Sequence, residues 1–297
     1  MRRVRVPGDK SLTQRSLIFA SLATGNSRIR GLLTGQDPQS TAGALRALGV
    51  EIPPLGGAEL RIQGVGLRGL RAPRDVLDFE NSGTGARLML GVLAGQPITV
   101  TVTGDASLRS RPMRRVTTPL SKMGAVVREM GEPDRLPVEM TGGKLSALEY
   151  ESPVATAQVK SCLLLAGLVG GAFVLFSEPY RTRDHTERML GMCGVSVISH
   201  QAGGVWRVEL RDPPDQIPPL DFEVPGDFSS ATFLLALAIL GGVEGGLEID
   251  HVGVNPTRCG LLKVLDRMGA GVSADASADS AADGSTASSV GYSADSS

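Results

Sequence analysis

The chain repeats itself with a period of slightly more than 70 residues, and this repeat limits its possible folds more than any other feature. An apolar helix-ending phrase closed by glycine occurs four times, at spacings of 75, 70 and 75 positions, with its glycines at Gly49, Gly124, Gly194 and Gly269. A small-residue helix start before an apolar run also occurs four times, at spacings of 71, 75 and 72 positions, beginning at Ser11, Ser82, Ala157 and Ser229. Because two independent phrases share one period, the sequence predicts four similar supersecondary units.

Each unit mixes helical and strand periodicities. In the first unit, the pattern predicts a helix over residues 11–24, a strand over 27–33, a turn at Gln36-Asp37-Pro38 and a second helix over 41–48. Alternation between a period of about 3.6 and a period of about 2 is typical of mixed folds. A length of 297 residues with 41% hydrophobic content favours two domains over one. The predicted fold class is therefore α/β, built from α+β repeats.

The last stretch of the chain departs from this pattern. Residues 273–297 consist almost entirely of Ser, Ala, Asp and Gly, and their only sizeable apolar side chains are Val290 and Tyr292. Such a composition offers little apolar surface to offset the entropy of ordering the backbone. We predict a disordered, low-complexity tail that interrupts the fourth unit at its last step.

The charge distribution argues against a dedicated nucleic-acid-binding protein. The formal net charge is −1, and because four aspartates lie in the tail, the remainder of the chain carries +3. A nucleic-acid-binding face usually shows in this balance, so local basic sites fit small anions better. We expect no nucleic acid among the partners.

Cysteine usage and hydropathy indicate a cytoplasmic protein. Cys162, Cys193 and Cys259 are far apart and have no metal-ligand spacing with one another or with the histidines, so reduced and mostly buried thiols are expected. Residues 1–7 contain no apolar signal core, and the longest apolar run, residues 231–240, is too short to span a bilayer. The expected protein is soluble and monomeric, with no metal and no membrane contact.

One turn carries a high density of arginine. After the alternating run 98–103, four arginines fall within seven residues, namely Arg109, Arg111, Arg114 and Arg115. Guanidinium groups at a strand end, ahead of a proline that can open a helix, are suited to binding anions. A solvated basic loop is the alternative interpretation, but similar junctions bearing Lys, Arg, Ser, Thr or Asn recur along the chain.

Seven short phrases occur in one register and order, although each alone is a weak signal. They are Pro7-Gly-Asp-Lys10-Ser11 with Arg15, Asn81-Ser-Gly-Thr84, Gly104-Asp105 to Arg111-Pro112-Met113, Ala157-Gln158-Val-Lys160-Ser161, Thr182-Arg183-Asp184-His185-Thr186-Glu187-Arg188, Pro225-Gly-Asp227-Phe-Ser-Ser230 and Asn255-Pro-Thr-Arg258. Together they resemble the 5-enolpyruvylshikimate-3-phosphate synthase family, from residue 5 to about residue 272.

The resemblance implies the enolpyruvyl transferase fold, in which two domains each contain three βαβαββ units and ligands bind between the domains. About four of the six units are expected in this chain. Residues 1–12 and 226–272 would then form a partial domain, and residues 13–225 a complete domain of three units.

The resemblance also implies an activity, the transfer of the enolpyruvyl group of phosphoenolpyruvate to the 5-hydroxyl of shikimate 3-phosphate, with release of phosphate and without a cofactor. In this family the reaction serves aromatic amino acid biosynthesis, and similar members bind the herbicide glyphosate. Lys10 is the implied catalytic residue, which neutralises phosphoenolpyruvate and assists proton transfer to the leaving group. The implied phosphoenolpyruvate-binding residues are Lys10, Asn81, Gly83, Thr84, Arg111 and Gln158.

The second substrate is assigned to other helix starts by the same resemblance. The implied shikimate 3-phosphate-binding residues are Lys10, Ser11, Arg15, Thr156, Ala157, Gln158 and Arg183. Thr156 and Arg183 would contact the phosphate, and Gln158 the ring or its hydroxyls. The segment 184–187 would form a capping network behind Arg183, with a structural rather than catalytic His185.

Other basic and polar positions are expected to support the fold. Lys160 is expected to face solvent or to cap a neighbour. Arg109, Arg114 and Arg115 are expected on a helix face or between domains. Asp227, Ser229 and Ser230 are interpreted as a capped helix start, and Asn255 and Arg258 as a turn that positions the fourth helix.

One departure from the family pattern concerns the chemistry. The family's catalytic carboxylates, an Asp at a strand end and a Glu next to a Lys, belong to the fifth and sixth units, and no residue of this sequence matches them. Because proton transfer at the methylene carbon needs a positioned acid or base, little or no turnover is expected from this chain alone.

Other functions remain open on the sequence. The chain could be a non-catalytic fragment that binds shikimate 3-phosphate, or one half of a split enzyme completed by a second polypeptide. It could instead be the related transferase that acts on UDP-N-acetylglucosamine. That enzyme usually carries a cysteine in the arginine loop, and residues 104–113 contain none.

Overall fold

Helices and strands alternate along the chain in the computed structural model, which describes residues 1–241, 243, 245–276 and 287–292. The helices are α1 Lys10–Leu22, α2 Gln36–Ala47, α3 Gly83–Ala94, α4 Ala106–Arg109, α5 Arg114–Lys122, α6 Ala157–Gly170, α7 His185–Met192, α8 Phe228–Gly241 and α9 Gly260–Arg267. The strands are β1 Arg2–Arg5, β2 Thr24–Arg30, β3 Glu59–Val65, β4 Leu77–Asp78, β5 Thr99–Thr103, β6 Val126–Glu129, β7 Val138–Thr141, β8 Leu148–Glu151, β9 Val174–Glu178, β10 Val197–Ala202, β11 Val205–Leu210, β12 Asp221–Glu223, β13 Leu247–Gly253, β14 Val272–Ala276 and β15 Ala287–Tyr292.

The described chain forms two compact units. Unit 1 comprises Met1–Thr13, Ile29–Leu33 and the described residues from Phe222 onward, and unit 2 comprises Gln14–Arg28 and Thr34–Asp221. The sequence-based division at residues 12 and 225 differs mainly in leaving the segment Ile29–Leu33 with the larger unit.

The same strand arrangement recurs in three four-stranded sheets. The orders are β4-β5-β7-β6 and β8-β9-β11-β10 in unit 2, and β1-β13-β15-β14 in unit 1. In each sheet the first two strands pair in parallel, and the other pairings are antiparallel. A parallel pair joined to an antiparallel hairpin is the arrangement expected of βαβαββ units, so the predicted α/β fold class is confirmed. A smaller sheet has the order β12-β2-β3.

Four helices end at the repeated glycines. Helices α2, α5, α7 and α9 are each followed, one residue after the C-cap, by a glycine of positive φ: Gly49 at 93°, Gly124 at 110°, Gly194 at 74° and Gly269 at 78°. Glycine enters this left-handed region without the steric cost that a Cβ atom brings. The period in the sequence therefore marks four helix stops, as predicted.

Unit 2 contains two closely packed helices, α3 and α6, which are buried at nearly every position. A Cβ atom at Gly91 of α3 would lie 2.1 Å from the carbonyl oxygen of Cys162 in α6, and one at Gly95 would lie 2.6 Å from the backbone nitrogen of Gly170. Because the contacting positions increase together in both helices, the two helices run in the same direction. Their N-terminal ends therefore lie at the same end of the pair.

The core of unit 1 includes part of the segment that composition predicted to be disordered. Val290 of β15 is fully buried among residues that include Leu235 and Ile249, and β15 pairs with both β13 and β14. The prediction of disorder does not hold for residues 273–276 and 287–292, because β14 and β15 pair with each other and β15 also pairs with β13, and local composition does not reveal these hydrogen bonds. The rest of the predicted tail, residues 277–286 and 293–297, lies outside the described residues.

Helices α8 and α9 present apolar side chains to solvent. Phe233 is 78% exposed and Leu240 is 88% exposed on α8, and Val264 of α9 is about half exposed. Helix α6 begins at the same repeated phrase, one repeat earlier in the sequence, and it is buried over most of its length. Within the described residues, α8 thus has less apolar cover than its counterpart. In the same part of the chain, none of the helices has the length and hydropathy needed to cross a bilayer.

Candidate anion-binding site

One glutamine joins the N-terminal ends of α3 and α6. Gln158, in the first turn of α6, donates from Nε2 to Oγ1 of Thr84 at 3.0 Å and accepts at Oε1 from Nη1 of Arg87 at 3.2 Å. Because the two helices run in the same direction, their unbonded backbone N–H groups and the positive ends of their dipoles meet here. A helix end of this kind is suited to binding phosphate or carboxylate.

Two guanidinium groups flank Gly83 at the start of α3. A Cβ atom at this position would lie 2.9 Å from Nη1 of Arg87 and 2.9 Å from Nη1 of Arg111. Arg87 is 2% exposed and donates to the carbonyl oxygens of Gly83 and Pro112, each at 3.2 Å. Burial, together with the nearby charges of Arg115 and Arg111, lowers the pKa of Arg87 to about 10, and burial is the largest of these effects. Positive charge concentrated away from water favours a bound anion.

The turn after β5 holds Arg111 in place. Its Nη2 donates to Oδ1 of Asn81 at 2.6 Å and to Oγ of Ser107 at 3.2 Å. Asn81 in turn donates from Nδ2 to Oδ2 of Asp105 at 2.8 Å. Hydrogen bonds from the Leu108 backbone and from Asn81 lower the pKa of Asp105, so its carboxylate is ionised at neutral pH. The chain of contacts from Asp105 through Asn81 fixes the direction of the guanidinium.

Arg15 links the early residues of α1, α6 and α7. It is 4% exposed, and it donates from Nε to Oγ1 of Thr186 at 2.8 Å and from Nη2 to Oγ of Ser161 at 2.9 Å. Gln14, the preceding residue, donates from Nε2 to Oγ of Ser82, the N-cap of α3, at 2.6 Å. The starts of α3, α6 and α7 are therefore connected through one turn of α1.

Residues of unit 1 fix the first turn of α1. Asp9, which is buried, accepts at Oδ1 from the backbone nitrogen of Leu12 at 2.8 Å. Asp227 accepts from the backbone nitrogen of Lys10 at 3.3 Å and from Nη2 of Arg258 at 3.0 Å. Burial acts to raise the pKa of Asp227, but the charge of Arg258 and the hydrogen bonds outweigh it, and the pKa is lowered. The backbone of Lys10 is thus anchored while the residue itself is exposed.

Two turns predicted in unit 1 are confirmed. Oδ1 of Asp227 accepts from the backbone nitrogen of Ser229 at 2.7 Å, at the start of α8. Oδ1 of Asn255 accepts from the backbone nitrogen of Thr257 at 2.9 Å, in the turn before α9. The side chain of Arg258, which lies in the same turn, donates to Asp227, so the starts of α8 and α9 are joined.

Lys160 is fully buried, and the prediction that it faces solvent or caps a neighbour is wrong. Its Nζ lies 2.9 Å from Oε1 of Glu178 and 2.8 Å from Oε1 of Glu187. Burial raises the pKa of Glu187, although the charge of Lys160 opposes this effect. The physical reason is that α6 is covered on all sides, so a lysine on it has to find its carboxylates inside unit 2.

The capping network predicted for residues 184–187 is also wrong. Asp184 is the N-cap of α7 but makes no side-chain cap hydrogen bond. Its carboxylate pairs instead with Arg181 at 2.8 Å and with Arg188 at 3.0 Å. Glu187 does not return to the helix start because it is the partner of Lys160. His185 is buried, at 5% exposure.

The remaining residues of the predicted site have the following places. Thr156 is the N-cap of α6, and Ala157 is its first residue. Arg183 is exposed in the loop before α7. Lys10 and Ser11 lie in the first turn of α1, in the part of the chain that belongs to unit 1.

The structure brings part of the predicted set into direct contact. Thr84 and Gln158 are hydrogen-bonded to each other, and Arg111 to Asn81. The other arginines of the basic turn, Arg109, Arg114 and Arg115, are exposed. Arg114 forms an ion pair with Glu129 at 2.8 Å.

Arg87 is the main residue of this site that the sequence did not predict. An arginine within an apolar helical run is usually interpreted as a solvent-facing side chain. The available signal was its position, four residues after Gly83 and therefore on the same face of the helix. A small residue one turn before an arginine leaves room for the guanidinium to fold back over the helix start.

The three cysteines are free and buried, as predicted. Burial raises the pKa of Cys193 to about 12 and that of Cys259 to about 11, and it also raises the pKa of Cys162. These groups are therefore protonated thiols at neutral pH, not nucleophiles.

Known proteins match this sequence over most of its length. The family model of EPSP synthase (3-phosphoshikimate 1-carboxyvinyltransferase) matches residues 2–292. The 3-phosphoshikimate 1-carboxyvinyltransferase of Gloeobacter violaceus is 48% identical over 275 residues, which cover 92% of this chain and 62% of the relative. That of Desulforamulus reducens is 46% identical over 271 residues, which cover 91% of this chain and 61% of the relative. The chain spans about three fifths of the length of these curated relatives.

Solved structures show the same relationship. An EPSP synthase from Acinetobacter baumannii superposes with a TM-score of 0.89 at 39% identity, covering 99% of this chain and 64% of that one. The enolpyruvyl transferase NikO from Streptomyces tendae superposes with a TM-score of 0.67 at 18% identity, covering 98% of this chain and 65% of that one, which shows a shared fold alone. By the family model and by its curated relatives, the chain belongs to the EPSP synthase family.

Proposed function

We propose that this chain binds shikimate 3-phosphate and phosphoenolpyruvate and serves the transfer of the enolpyruvyl group to the 5-hydroxyl, a step of aromatic amino acid biosynthesis. The observation that carries the proposal is the junction of the α3 and α6 starts beside Arg87 and Arg111. Both substrates are phosphate esters that also carry a carboxylate, and such groups need fixed cations and backbone N–H donors. The names of the matched relatives support the same activity.

For phosphoenolpyruvate, the proposed contacts are at the start of α3. Arg111 is already directed by Asn81, so it can meet an anion without first losing side-chain freedom. Gly83 and Thr84 are the first two residues of α3, and Gln158 links this helix start to α6 through its hydrogen bond to Thr84. Arg87 adds a buried positive charge behind them.

For shikimate 3-phosphate, the proposed contacts are Ser11, Arg15, Thr156, Ala157, Gln158 and Arg183. Thr156 and Ala157 stand at the N-terminal end of α6, where a phosphate oxygen can accept from backbone N–H groups. Arg15 is bound to Ser161 and Thr186 and adds its charge from inside the unit. Arg183 is an exposed guanidinium in the loop before α7.

The proposed catalytic residue is Lys10. In the reaction the substrate hydroxyl loses its proton as its oxygen bonds to the carbon that carries the phosphate ester, and the methylene carbon gains a proton, so that the carbon–carbon double bond becomes a single bond. The carbon–oxygen bond to phosphate then breaks, and a proton leaves the new methyl group. An ammonium group near the ester neutralises phosphoenolpyruvate and assists proton transfer to the departing phosphate. Hydrogen bonding of the Lys10 backbone to Asp227 supports a fixed starting point for this side chain.

Titration calorimetry on the purified chain tests the proposal. Shikimate 3-phosphate is expected to bind, and phosphoenolpyruvate is expected to bind in its presence. Gln158→Leu should weaken both ligands, whereas Arg74→Met, at an exposed position, should weaken neither. No binding of shikimate 3-phosphate at millimolar concentration would overturn the proposal. A coupled assay of phosphate release then reports whether the chain alone completes the reaction.

The exposed apolar side chains of α8 and α9 favour a second candidate, in which a further polypeptide completes unit 1. The partner proposed is the part of an EPSP synthase that the matched region leaves out. Adding the separately expressed remainder of the Gloeobacter violaceus relative should then raise phosphate release and protect Phe233 and Leu240 from surface labelling. Unchanged activity and labelling would exclude this candidate.

The proposed setting is a monomer in the cytoplasm. Three free, buried thiols fit a reducing compartment. Light scattering over a range of protein concentrations tests the monomer, because a mass that rises with concentration would contradict it.

A further inference from the structure

The loop that carries Arg183 is clamped at the residue before it. The backbone nitrogen of Thr182 donates to Oε1 of Glu178 at 3.0 Å, and its hydroxyl oxygen lies 2.9 Å from Oε1 and 2.8 Å from Oε2 of the same carboxylate. Its carbonyl oxygen accepts from Nζ of Lys160 at 3.4 Å. The N–H, the hydroxyl and the carbonyl of Thr182 are thus all held by the Lys160–Glu178 pair.

This pair is removed from solvent. The side chains of Lys160 and Glu178 are 0% exposed, and that of Glu187 is 8% exposed. A buried ion pair adds little net stability, since the loss of hydration offsets the attraction. The Lys160–Glu178 pair instead fixes the positions of the elements around it. Glu178 ends β9 and Glu187 lies in α7, so Lys160 ties together the two elements that the Arg183 loop connects.

The same stretch of α6 contacts the anion-binding site. Ser161, the neighbour of Lys160, accepts from Nη2 of Arg15 and from the hydroxyl of Thr186. Two consecutive residues of α6 therefore fix the start of α7 and the loop before it. The loop has one more attachment, because the guanidinium of Arg181 stacks over the ring of Trp206 at 4.9 Å.

We propose that Lys160, Glu178 and Thr182 are positioning residues, which place Arg183 where it meets the phosphate of the shikimate ligand. They do not contact the ligand themselves. The inference rests on the proposed function, because it requires that Arg183 binds that phosphate. It separates two ligands that differ by one group, since a displaced Arg183 affects shikimate 3-phosphate and leaves unphosphorylated shikimate unaffected.

The test compares Thr182→Val with Thr182→Ser in the full chain. Valine keeps the shape and loses the hydroxyl, whereas serine keeps the hydroxyl. By calorimetry, Thr182→Val is expected to raise the Kd for shikimate 3-phosphate about tenfold and to leave the Kd for shikimate unchanged, whereas Thr182→Ser stays within about twofold of the parent. Trp206 is the only tryptophan of the chain, so its emission reports the state of the loop. Thr118→Val, at an exposed threonine of α5, is the matched control.

A double-mutant cycle with Arg183→Met separates positioning from general support of the fold. If Thr182 acts through Arg183, Thr182→Val has no further effect on shikimate 3-phosphate binding once Arg183 is methionine. An effect that persists in that background, or an equal loss of shikimate binding, would overturn the inference. Thr182→Ala replaces the valine variant if the latter does not fold. Absence of shikimate 3-phosphate binding by the parent chain would instead overturn the proposed function, and the inference with it.

Discussion

Nη1 of Arg87 lies 3.2 Å from Oε1 of Gln158, so a buried cation of α3 is hydrogen-bonded to an amide at the start of α6. The contact connects two helices that also meet through Gly91 and Gly95. Because Nε2 of Gln158 donates to Thr84, the three side chains form one hydrogen-bonded group. Charge, hydrogen-bond direction and helix packing are therefore set together at the candidate site.

Replacing Arg87 by methionine should weaken anion binding without unfolding the protein. The lowered pKa of Arg87 shows that unit 2 disfavours its charge, so an apolar side chain of similar length is expected to keep the unfolding temperature within a few degrees of the parent. The affinity for phosphoenolpyruvate should fall at least about tenfold, since the buried positive charge behind its proposed site is lost. Calorimetry and thermal unfolding measure the two effects. Arg74→Met is the control, and an unchanged Kd for Arg87→Met would contradict the assignment.

A methyl group at Gly83 should displace both guanidinium groups. In Gly83→Ala the new Cβ would lie 2.9 Å from Nη1 of Arg87 and of Arg111, and both side chains have to move. We expect weaker binding of phosphoenolpyruvate, by about tenfold, with a change in stability below about 1 kcal/mol. The control is Gly43→Ala in α2, where a Cβ would meet nothing within 4 Å. That variant should bind normally and be stabilised by up to about 1 kcal/mol. Equal binding by both variants would refute the prediction.

The helix starts in this site could be predicted from sequence, whereas the side-chain partners could not. Small residues before an apolar run marked the entries of α3 and α6, because such residues cap helices and apolar runs continue them. The burial of Arg87 and Lys160 depends on which helices cover α3 and α6. That is a tertiary property, and the local pattern around a charged residue is the same on a covered and on an open helix.

Stability should fall in acid in a manner that depends on Asp227. Its folded pKa lies below the ordinary value of 3.8, so its ionic contacts contribute fully above that value and are lost as pH falls through the lower, folded value. Asp227→Asn should reduce stability near neutral pH by about 1–3 kcal/mol and flatten the acid slope. Urea unfolding between about pH 7 and about pH 2 measures both effects. Asp212→Asn, at an exposed site, should reproduce the parent's dependence of stability on pH. If stability of Asp227→Asn depended on pH as that of the parent does, the role given to Asp227 would be contradicted.

Strand β15 should contribute to the stability of unit 1. Val290 is fully buried, so Val290→Ala should cost about 1–3 kcal/mol through lost contacts and a small cavity. Val126→Ala, at a side chain that is 65% exposed, should cost less than about 0.5 kcal/mol. Chemical denaturation of both variants measures these changes in the free energy of unfolding. Equal values would show that β15 is not part of the core.

Strand β15 also shows why disorder was wrongly predicted from the sequence. Its Ser, Ala and Gly residues have weak strand preference, and one valine and one tyrosine give no convincing alternating pattern. Its order comes from β13 on one side and β14 on the other. Pairing between separate segments of the chain is not encoded in the composition of either one.

The contact of Gly91 with the backbone of α6 sets a requirement far from any ligand. With no side chain between them, the two helix backbones approach closely, and the reach of Gln158 matches that separation. A wider gap between the axes would pull the amide away from Thr84 and Arg87. Loss of substrate binding can therefore originate in the hydrophobic interior, and a screen that scores activity alone would wrongly place such a mutation at the active site.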